Sequence, residues 1–286
     1  MTANILSTPD SMALCNEGKP KTFTFISSTS VLDTDHYIKL SNEQARTGQG
    51  AIYESDDMQG SRRGLGTGYA QTKWVSEQLV CETGNRGLLG SVIRAGYVLG
   101  DMLTGVCNTD DFLIRMLKGC VQLAMRPRIA NTVNAIPVNH VARLVVASAL
   151  NPIADGVNVI QVTAHPRLRM NEYLSIIEYY GYKAPEKDHE QHALMPLFHF
   201  CMNDLPANTR APELDDRNAA AVLKADAENW TGLDESFGHG ISRDDVGRYL
   251  GYLAKIGFIG LPSEKGRPLP EILVDAQAVG GRRGAA

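Results

Sequence analysis

Tyr69 and Lys73 stand four residues apart in Tyr69-Ala70-Gln71-Thr72-Lys73, and on a helix that spacing sets both side chains on one face, about one turn apart. An ammonium beside a phenol favours the phenolate, which makes the tyrosine a usable proton donor and acceptor near neutral pH. Tyr179 and Lys183 repeat the spacing, but Gly181 interrupts that pair and Pro185 follows it, so one helix is not expected to carry both. Company separates the two pairs. Upstream of Tyr69, the aromatic and β-branched run Phe23-Thr24-Phe25-Ile26 leads into Ser27-Ser28-Thr29-Ser30, and downstream a second apolar run ends in Arg94-Ala95-Gly96-Tyr97. A serine hydroxyl at a strand end can hydrogen-bond a substrate carbonyl while the tyrosine donates its proton, the arrangement needed for that carbon to receive a hydride.

Other motifs carry less. Gly64-Leu65-Gly66-Thr67-Gly68 has the spacing of neither a dinucleotide loop nor a P-loop and follows a polar stretch rather than a strand, so it reads as a flexible approach to the Tyr69 helix. His189 and His192 lack a third ligand at a convincing spacing and read as surface residues. No Gly-x-Ser-x-Gly elbow is present to start a hydrolase triad. The stretch Leu194 to Met202 reads as core or an inter-lobe contact. The cysteines Cys15, Cys81, Cys107, Cys120 and Cys201 form no Cys-x-x-Cys pair and read as small buried hydrophobes.

The elements that must position Ser28, Tyr69 and Lys73 follow from periodicity. A helix ends near Gly18-Lys19-Pro20 and a strand runs over Phe23–Ile26. Residues 33 to 67 are polar and rich in Gly and Ser, which predicts a long surface excursion rather than core. A helix starts at Tyr69 and closes at Gly84 to Gly87, and a buried strand lies within Leu88–Leu99. Strand, excursion, helix, strand is the order of a parallel α/β unit, and such sheets bind ligands beyond the carboxyl ends of their strands. Further on come an amphipathic helix over Asp110–Val121, a helix over Asn139–Leu150 capped by Asn139 and stopped by Pro152, a strand over Val157–Val162, and helices over Met170–Tyr180 and about Asp244–Ile256. The expected domains are 1–165, a partial nucleotide-binding domain; 166–262, a mainly helical substrate lobe; and 263–286, a disordered tail.

Composition fits an ordinary globular chain, with 28 Lys+Arg against 32 Asp+Glu, a net charge of −4 and 43% hydrophobic residues. That balance argues against a nucleic-acid or anionic-membrane binder. No apolar stretch approaches the ~18 residues of a membrane helix, and the first residues lack the pattern of a secretory signal, so the expected setting is cytoplasmic.

Ser28, Tyr69 and Lys73 together resemble the site of the extended short-chain dehydrogenase/reductase superfamily. FISSTSVLDTDHY, GLGTGYAQTKWVSE, GYVLGD, TGVCNTDDFLIRMLKGCVQL and HVARLVVASALNP narrow the resemblance to the thioester-reductase domains that close fungal L-2-aminoadipate reductases of lysine biosynthesis, over about residues 14 to 262. Related domains terminate carboxylic acid reductases and some nonribosomal peptide synthetases. The resemblance implies a Rossmann-like doubly wound parallel sheet with a smaller helical lobe. It also implies NADPH as cofactor and an acyl-phosphopantetheine carrier protein as partner, whose thioester is reduced to an aldehyde. By position it gives Ser28, Tyr69 and Lys73 the catalytic roles, with Thr29 as the alternative hydroxyl. Tyr69, Lys73, Ala95 and Gly96 fall to the cofactor, and Tyr97 faces the substrate. The family reads Arg-Pro-Gly where this chain has Arg94-Ala95-Gly96. No Gly-rich turn after a strand precedes Ser28, so the resemblance also implies that the 286 residues alone lack the phosphate-binding turn and are inactive. Two other readings stand beside this one: another extended short-chain enzyme or epimerase acting on a free small molecule, and a non-catalytic remnant that binds a carrier protein.

Overall fold

A computed structural model of the chain describes residues 5–47, 51–129, 132–187 and 212–275. In chain order its elements are α1 (Ser7–Asn16), β1 (Phe23–Ser28), α2 (Asp35–Thr47), α3 (Gly68–Gly84), β2 (Gly90–Ala95), β3 (Tyr97–Leu99) and α4 (Phe112–Leu123). Then follow β4 (Arg126–Pro127), β5 (Thr132–Val133), β6 (Ala135–Pro137), α5 (Val138–Leu150), β7 (Val157–Val162), β8 (Leu168–Arg169), α6 (Met170–Tyr179) and β9 (Glu186–Lys187). Helices α7 (Arg217–Asp226) and α8 (Arg243–Lys255) close the series.

Two compact units share the chain. Unit 1 takes Met1–Gly96, His140–His165 and Thr209–His239, and unit 2 takes Tyr97–Asn139, Pro166–Asn208 and Gly240–Ala286. The sequence suggests contiguous domains split at residue 165, whereas these units interleave. The reason lies in the cores: apolar faces of α4, α6 and α8, distant in sequence, meet in one cluster with Leu113, Leu117, Tyr173, Ile177, Tyr249 and Leu253.

Unit 1 is built on a parallel sheet in the order β1-β2-β7. Phe23 to Ser28 pair with Gly90 to Ala95, which pair in turn with Val157 to Val162. Central β2 is buried from Ser91 to Ala95, as a strand with neighbours on both edges should be. Helix α3 makes the crossover that parallel neighbours require. Thr67 starts it by accepting the Ala70 N–H at 3.1 Å.

Several expectations need correction. Residues 33 to 67 are not a surface excursion, because they contain α2 and contribute Tyr37, Ile52 and Met58 to a core cluster with Val31, Leu32 and Trp74. Tyr37 faces inward from α2, whereas Ile52 and Met58 come from irregular chain, where no repeating period announces them. The apolar run Leu88–Leu99 is two strands in two units, broken at Gly96. Asn139 does not cap α5; it lies inside the helix, donates to Asp101 at 2.9 Å and accepts the Met102 N–H at 2.9 Å. The tail assigned to 263–286 is packed in its described part, with Ile272 buried against the unit 2 core and Arg267 N–H bonded to the Tyr179 carbonyl. Residues 276–286 lie outside the described residues, as do His189, His192 and Leu194 to Met202. No helix among the described residues is long and apolar enough to cross a membrane.

The register of β1 against β2 demands a residue without a side chain at Gly90, where an added Cβ would stand 1.9 Å from the Phe23 carbonyl oxygen. Gly90→Ala is expected to cost about 2 kcal/mol or more by prying these strands apart. Chemical denaturation of the variant checks this, and an unchanged midpoint would contradict the close approach.

Candidate active site

β1 and β2 end side by side. Ser28 and Ala95 are register partners at the carboxyl ends of adjacent parallel strands, and Gly96 follows directly. Ser28 is extended (φ −146°, ψ 149°) and its Oγ accepts the Ser30 N–H at 3.2 Å. That bond occupies a lone pair and leaves the hydroxyl proton to donate beyond the strand. Thr29 opens the 3-10 turn Thr29–Leu32 that carries the chain away from the strand end, so its hydroxyl is set by turn geometry rather than by the pleat.

Helix α3 brings the other two residues. Tyr69 sits in its first turn, half exposed, and Lys73 lies one turn on. The Lys73 Nζ donates to the Ile26 carbonyl of β1 at 2.6 Å and stands 5.0 Å from the centre of the Phe25 ring and 5.9 Å from that of Tyr69. Partial burial lowers the Lys73 pKa, and the Glu77 charge opposes that shift. Lys73 thus ties α3 to β1 two residues before Ser28, Tyr69 lies one turn nearer the start of the same helix, and Ser28 and Ala95 end the two paired strands. Tyr97 begins β3 in unit 2, where its ring lies 6.3 Å from that of Phe112.

Beneath these residues lies a polar network that spacing alone does not predict. Glu77 is fully buried, receives the Ser27 hydroxyl at 2.5 Å on one oxygen and the Arg94 Nε–H at 2.7 Å on the other, and Arg94 is 1% exposed. One carboxylate from α3 therefore ties β1 and β2 at the residues just before Ser28 and Ala95. Sequence offers a signal, since Glu77 is four residues past Lys73 and falls among Ala70, Ser76 and Val80 on the buried face, but not its partner.

The remaining described polar motifs do other work. The Gly64–Gly68 segment leads into the Thr67 cap, and its Leu65 carbonyl accepts from Gln71 at 2.9 Å. Tyr179 is bonded by Arg267 at 3.0 Å and faced by Arg243, not by Lys183. Burial pushes the thiols of Cys81 up to about 11 and of Cys107 and Cys120 up to about 12, so none of these is a thiolate nucleophile at neutral pH.

Could this site hold a nicotinamide cofactor? Lys73 has three N–H donors and spends one on Ile26, leaving two for a ribose diol. Ala95 and Gly96 offer a strand end with a methyl and no side chain, which lets a flat ring approach the backbone. The donor set fits.

Removing one partner of the buried pair leaves the other charged and dry. Arg94→Met is expected to destabilise the chain by about 3–5 kcal/mol, and the double variant Arg94→Met, Glu77→Gln to recover a large part of that loss. Denaturant melts of the parent, Arg94→Met, Glu77→Gln and the double variant measure the coupling, and additive losses would show that the two residues act independently.

Comparison with known proteins places these features. The L-2-aminoadipate reductase large subunit of Penicillium chrysogenum is 51% identical over 309 residues, which cover 99% of this chain and 22% of that protein. The L-2-aminoadipate reductase of Saccharomyces cerevisiae is 46% identical over 292 residues, covering 96% and 21%. The chain spans about a fifth of the length of these curated relatives. Among solved structures, the terminal reductase domain of the myxalamid biosynthetic pathway superposes with a TM-score of 0.72 at 24% identity, over 91% of this chain and 65% of that one. A thiolation-reductase di-domain from an archaeal nonribosomal peptide synthetase follows at a TM-score of 0.65 and 16% identity, over 89% and 62%. These superpositions identify the fold as the α/β, Rossmann-like fold of the reductase domains. The model of the NAD-binding family described as male sterility protein matches residues 1–145, half of the sequence, and the chain belongs to that family.

Proposed function

We propose that this chain supplies the catalytic residues for NADPH-dependent reduction of a carrier-bound 2-aminoadipyl-type thioester to its aldehyde, a step of lysine biosynthesis in the cytosol. The observation that supports this reading is the Lys73 bond to the Ile26 carbonyl, which sets the helix of Tyr69 and Lys73 against the strand that ends in Ser28, in a chain 51% identical to an L-2-aminoadipate reductase over 99% of its own residues. The partner is a phosphopantetheine carrier protein, a reading supported by the fold shared with a thiolation-reductase di-domain. Within unit 2, a cavity of about 400 Å³ lined by Val98, Asp101, Cys107, Asn108 and Ile114 has the size of a small-molecule or prosthetic-arm site.

The cofactor supplies the hydride when bound. Ser28 donates a hydrogen bond to the thioester oxygen and draws electron density from the carbon that is attacked. Tyr69 donates to the same oxygen and transfers its proton as negative charge develops there. Lys73, pinned to the Ile26 carbonyl, stabilises the phenolate left behind and directs its remaining N–H groups to the ribose. Collapse of the thiohemiacetal then expels the pantetheine thiol and releases the aldehyde. Ala95 and Gly96 hold the nicotinamide edge of the site, with Thr29 and Tyr97 turned to the substrate.

The chain spans about a fifth of the length of its curated relatives, so the reading concerns these residues within a whole reductase. Activity is therefore tested in a chimera in which these residues replace the matching segment of the Penicillium chrysogenum relative. NADPH oxidation with release of aldehyde from the carrier-bound thioester is expected. Equal rates on free acids or simple ketones would instead favour a small-molecule reductase, and carrier binding without turnover would favour a non-catalytic remnant.

In the same chimera, Tyr69→Phe is expected to lower turnover on the order of 10²-fold or more, and Lys73→Ala to weaken NADPH binding as well. Tyr179→Phe, which alters a tyrosine bonded to Arg267, should leave both unchanged. Steady-state kinetics separate these outcomes, and equal losses at Tyr69 and Tyr179 would refute the assignment.

A further inference from the structure

We propose a divalent transition-metal site, formed by His140, Glu235 and His239 in unit 1 and suited to Zn²⁺, that has no part in the reduction. Each residue offers one ligand atom, and the three atoms lie within 4.8 Å of one another. The Nδ1 of His140 is 4.0 Å from Glu235 Oε2, and the Nε2 of His239 is 3.6 Å from Glu235 Oε1. A tetrahedral zinc with bonds of about 2.0–2.1 Å separates its ligand atoms by roughly 3.3 Å, so the trio needs to close only by small side-chain movements.

Two observations separate this cluster from an incidental meeting of polar side chains. His140 lies in the first turn of α5 with its side chain 2% exposed, and its Nδ1 is buried without any hydrogen-bond partner. A buried ring nitrogen left unbonded is costly and calls for a partner of its own. The other two ligands are pre-set by the backbone. Glu235 and His239 stand four residues apart across a turn in which the Gly238 N–H bonds the Glu235 carbonyl at 3.0 Å, and Gly238 takes the positive φ of 73° that this turn requires. The chain thereby presents a carboxylate and an imidazole to the same point that His140 faces from the helix.

Two imidazoles and one carboxylate make a donor set that prefers Zn²⁺, Co²⁺ or Ni²⁺ over Mg²⁺ or Ca²⁺, with a fourth position left to water. Arg143 holds Glu235 Oε2 at 2.8 Å and is itself paired with Asp226 at 3.1 Å. The guanidinium thus fixes the carboxylate by one oxygen and competes with the ion for its charge. Bound metal would join α5 to the segment 235–239 and add stability by mass action.

The test uses the full 286-residue chain stripped of metal. Titration with Co²⁺ is expected to raise the visible bands of a four-coordinate ion to a plateau at one equivalent. Zn²⁺ should abolish them, and excess Mg²⁺ should not. His239→Ala and Glu235→Gln both alter half-buried residues that lie outside the hydrophobic clusters, and each should weaken Zn²⁺ binding more than about tenfold, since even indirect supports of metal ligands are worth that much. His36→Ala, a histidine of α2 outside the trio, should bind as the parent does. Absence of stoichiometric binding, or binding unchanged in both His239→Ala and Glu235→Gln, would overturn the site. Neither result touches the reductase assignment, which rests on Tyr69 and Lys73.

Discussion

The Glu77 carboxylate is the point on which unit 1 turns. It is out of contact with water, and a charge in that position persists only if donors surround it. Ser27 and Arg94 are those donors, one from each of the two strands whose ends carry Ser28 and Ala95. Because Glu77 sits one turn beyond Lys73 on the same helix, its bonds set the height and rotation of α3 above the sheet. Lys73 then reaches the Ile26 carbonyl, with Tyr69 one turn before it on the helix. A pair of this kind adds little net stability over apolar packing, but it makes misplacement of the helix expensive, because any shift strands a buried charge. Orientation of a proton donor is where such cost is useful, since sub-ångström placement governs transfer rates.

The division into two units bears on how a reductase of this family can be assembled. Three strands with their helices hold Ser28, Tyr69 and Lys73, the residues proposed for the chemistry, and a second core, laid down from interleaved segments, holds the cavity and Tyr97. The chain crosses at Gly96, directly after Ala95, and returns at His140. The residues read as nicotinamide-facing are thus the last of one unit, and the residue read as substrate-facing is the first of the other. Interleaving also explains the ordered packing of residues 263–275: Ile272 and Val274 complete the core begun by α4 and α6, and Lys255 binds the carbonyls of both.

Fold alone would not name the reaction, since the same parallel architecture serves many chemistries. What narrows it is local chemistry: a serine whose lone pair is occupied and whose proton is available, a phenol with an ammonium a turn away, and a strand end free of bulky side chains. These suit hydride addition to a polarised carbonyl. Burial raises the pKa values of Cys81, Cys107 and Cys120, which keeps those thiols protonated near neutral pH.

Composition and punctuation were enough to read β1, α3, β7 and α6 within a few residues, because each is a regular element set off by Gly, Pro or a capping Thr. The Tyr69–Lys73 pair was legible for the same reason: a four-residue spacing on a helix is a local fact. Three things were not. The core role of Ile52 and Met58 has no period, since those side chains come from irregular chain that packs with Tyr37 of α2 and Trp74 of α3. The partition at Gly96 splits one apolar run between two cores, and only packing against distant segments decides which half goes where. Glu77, Arg94 and Ser27 are 17 and 50 residues apart in their pairings, and nothing in a linear pattern joins a carboxylate on a helix to a guanidinium and a hydroxyl on two strands. Local geometry is written in spacing; which charges share one dry interior is decided when the chain closes on itself.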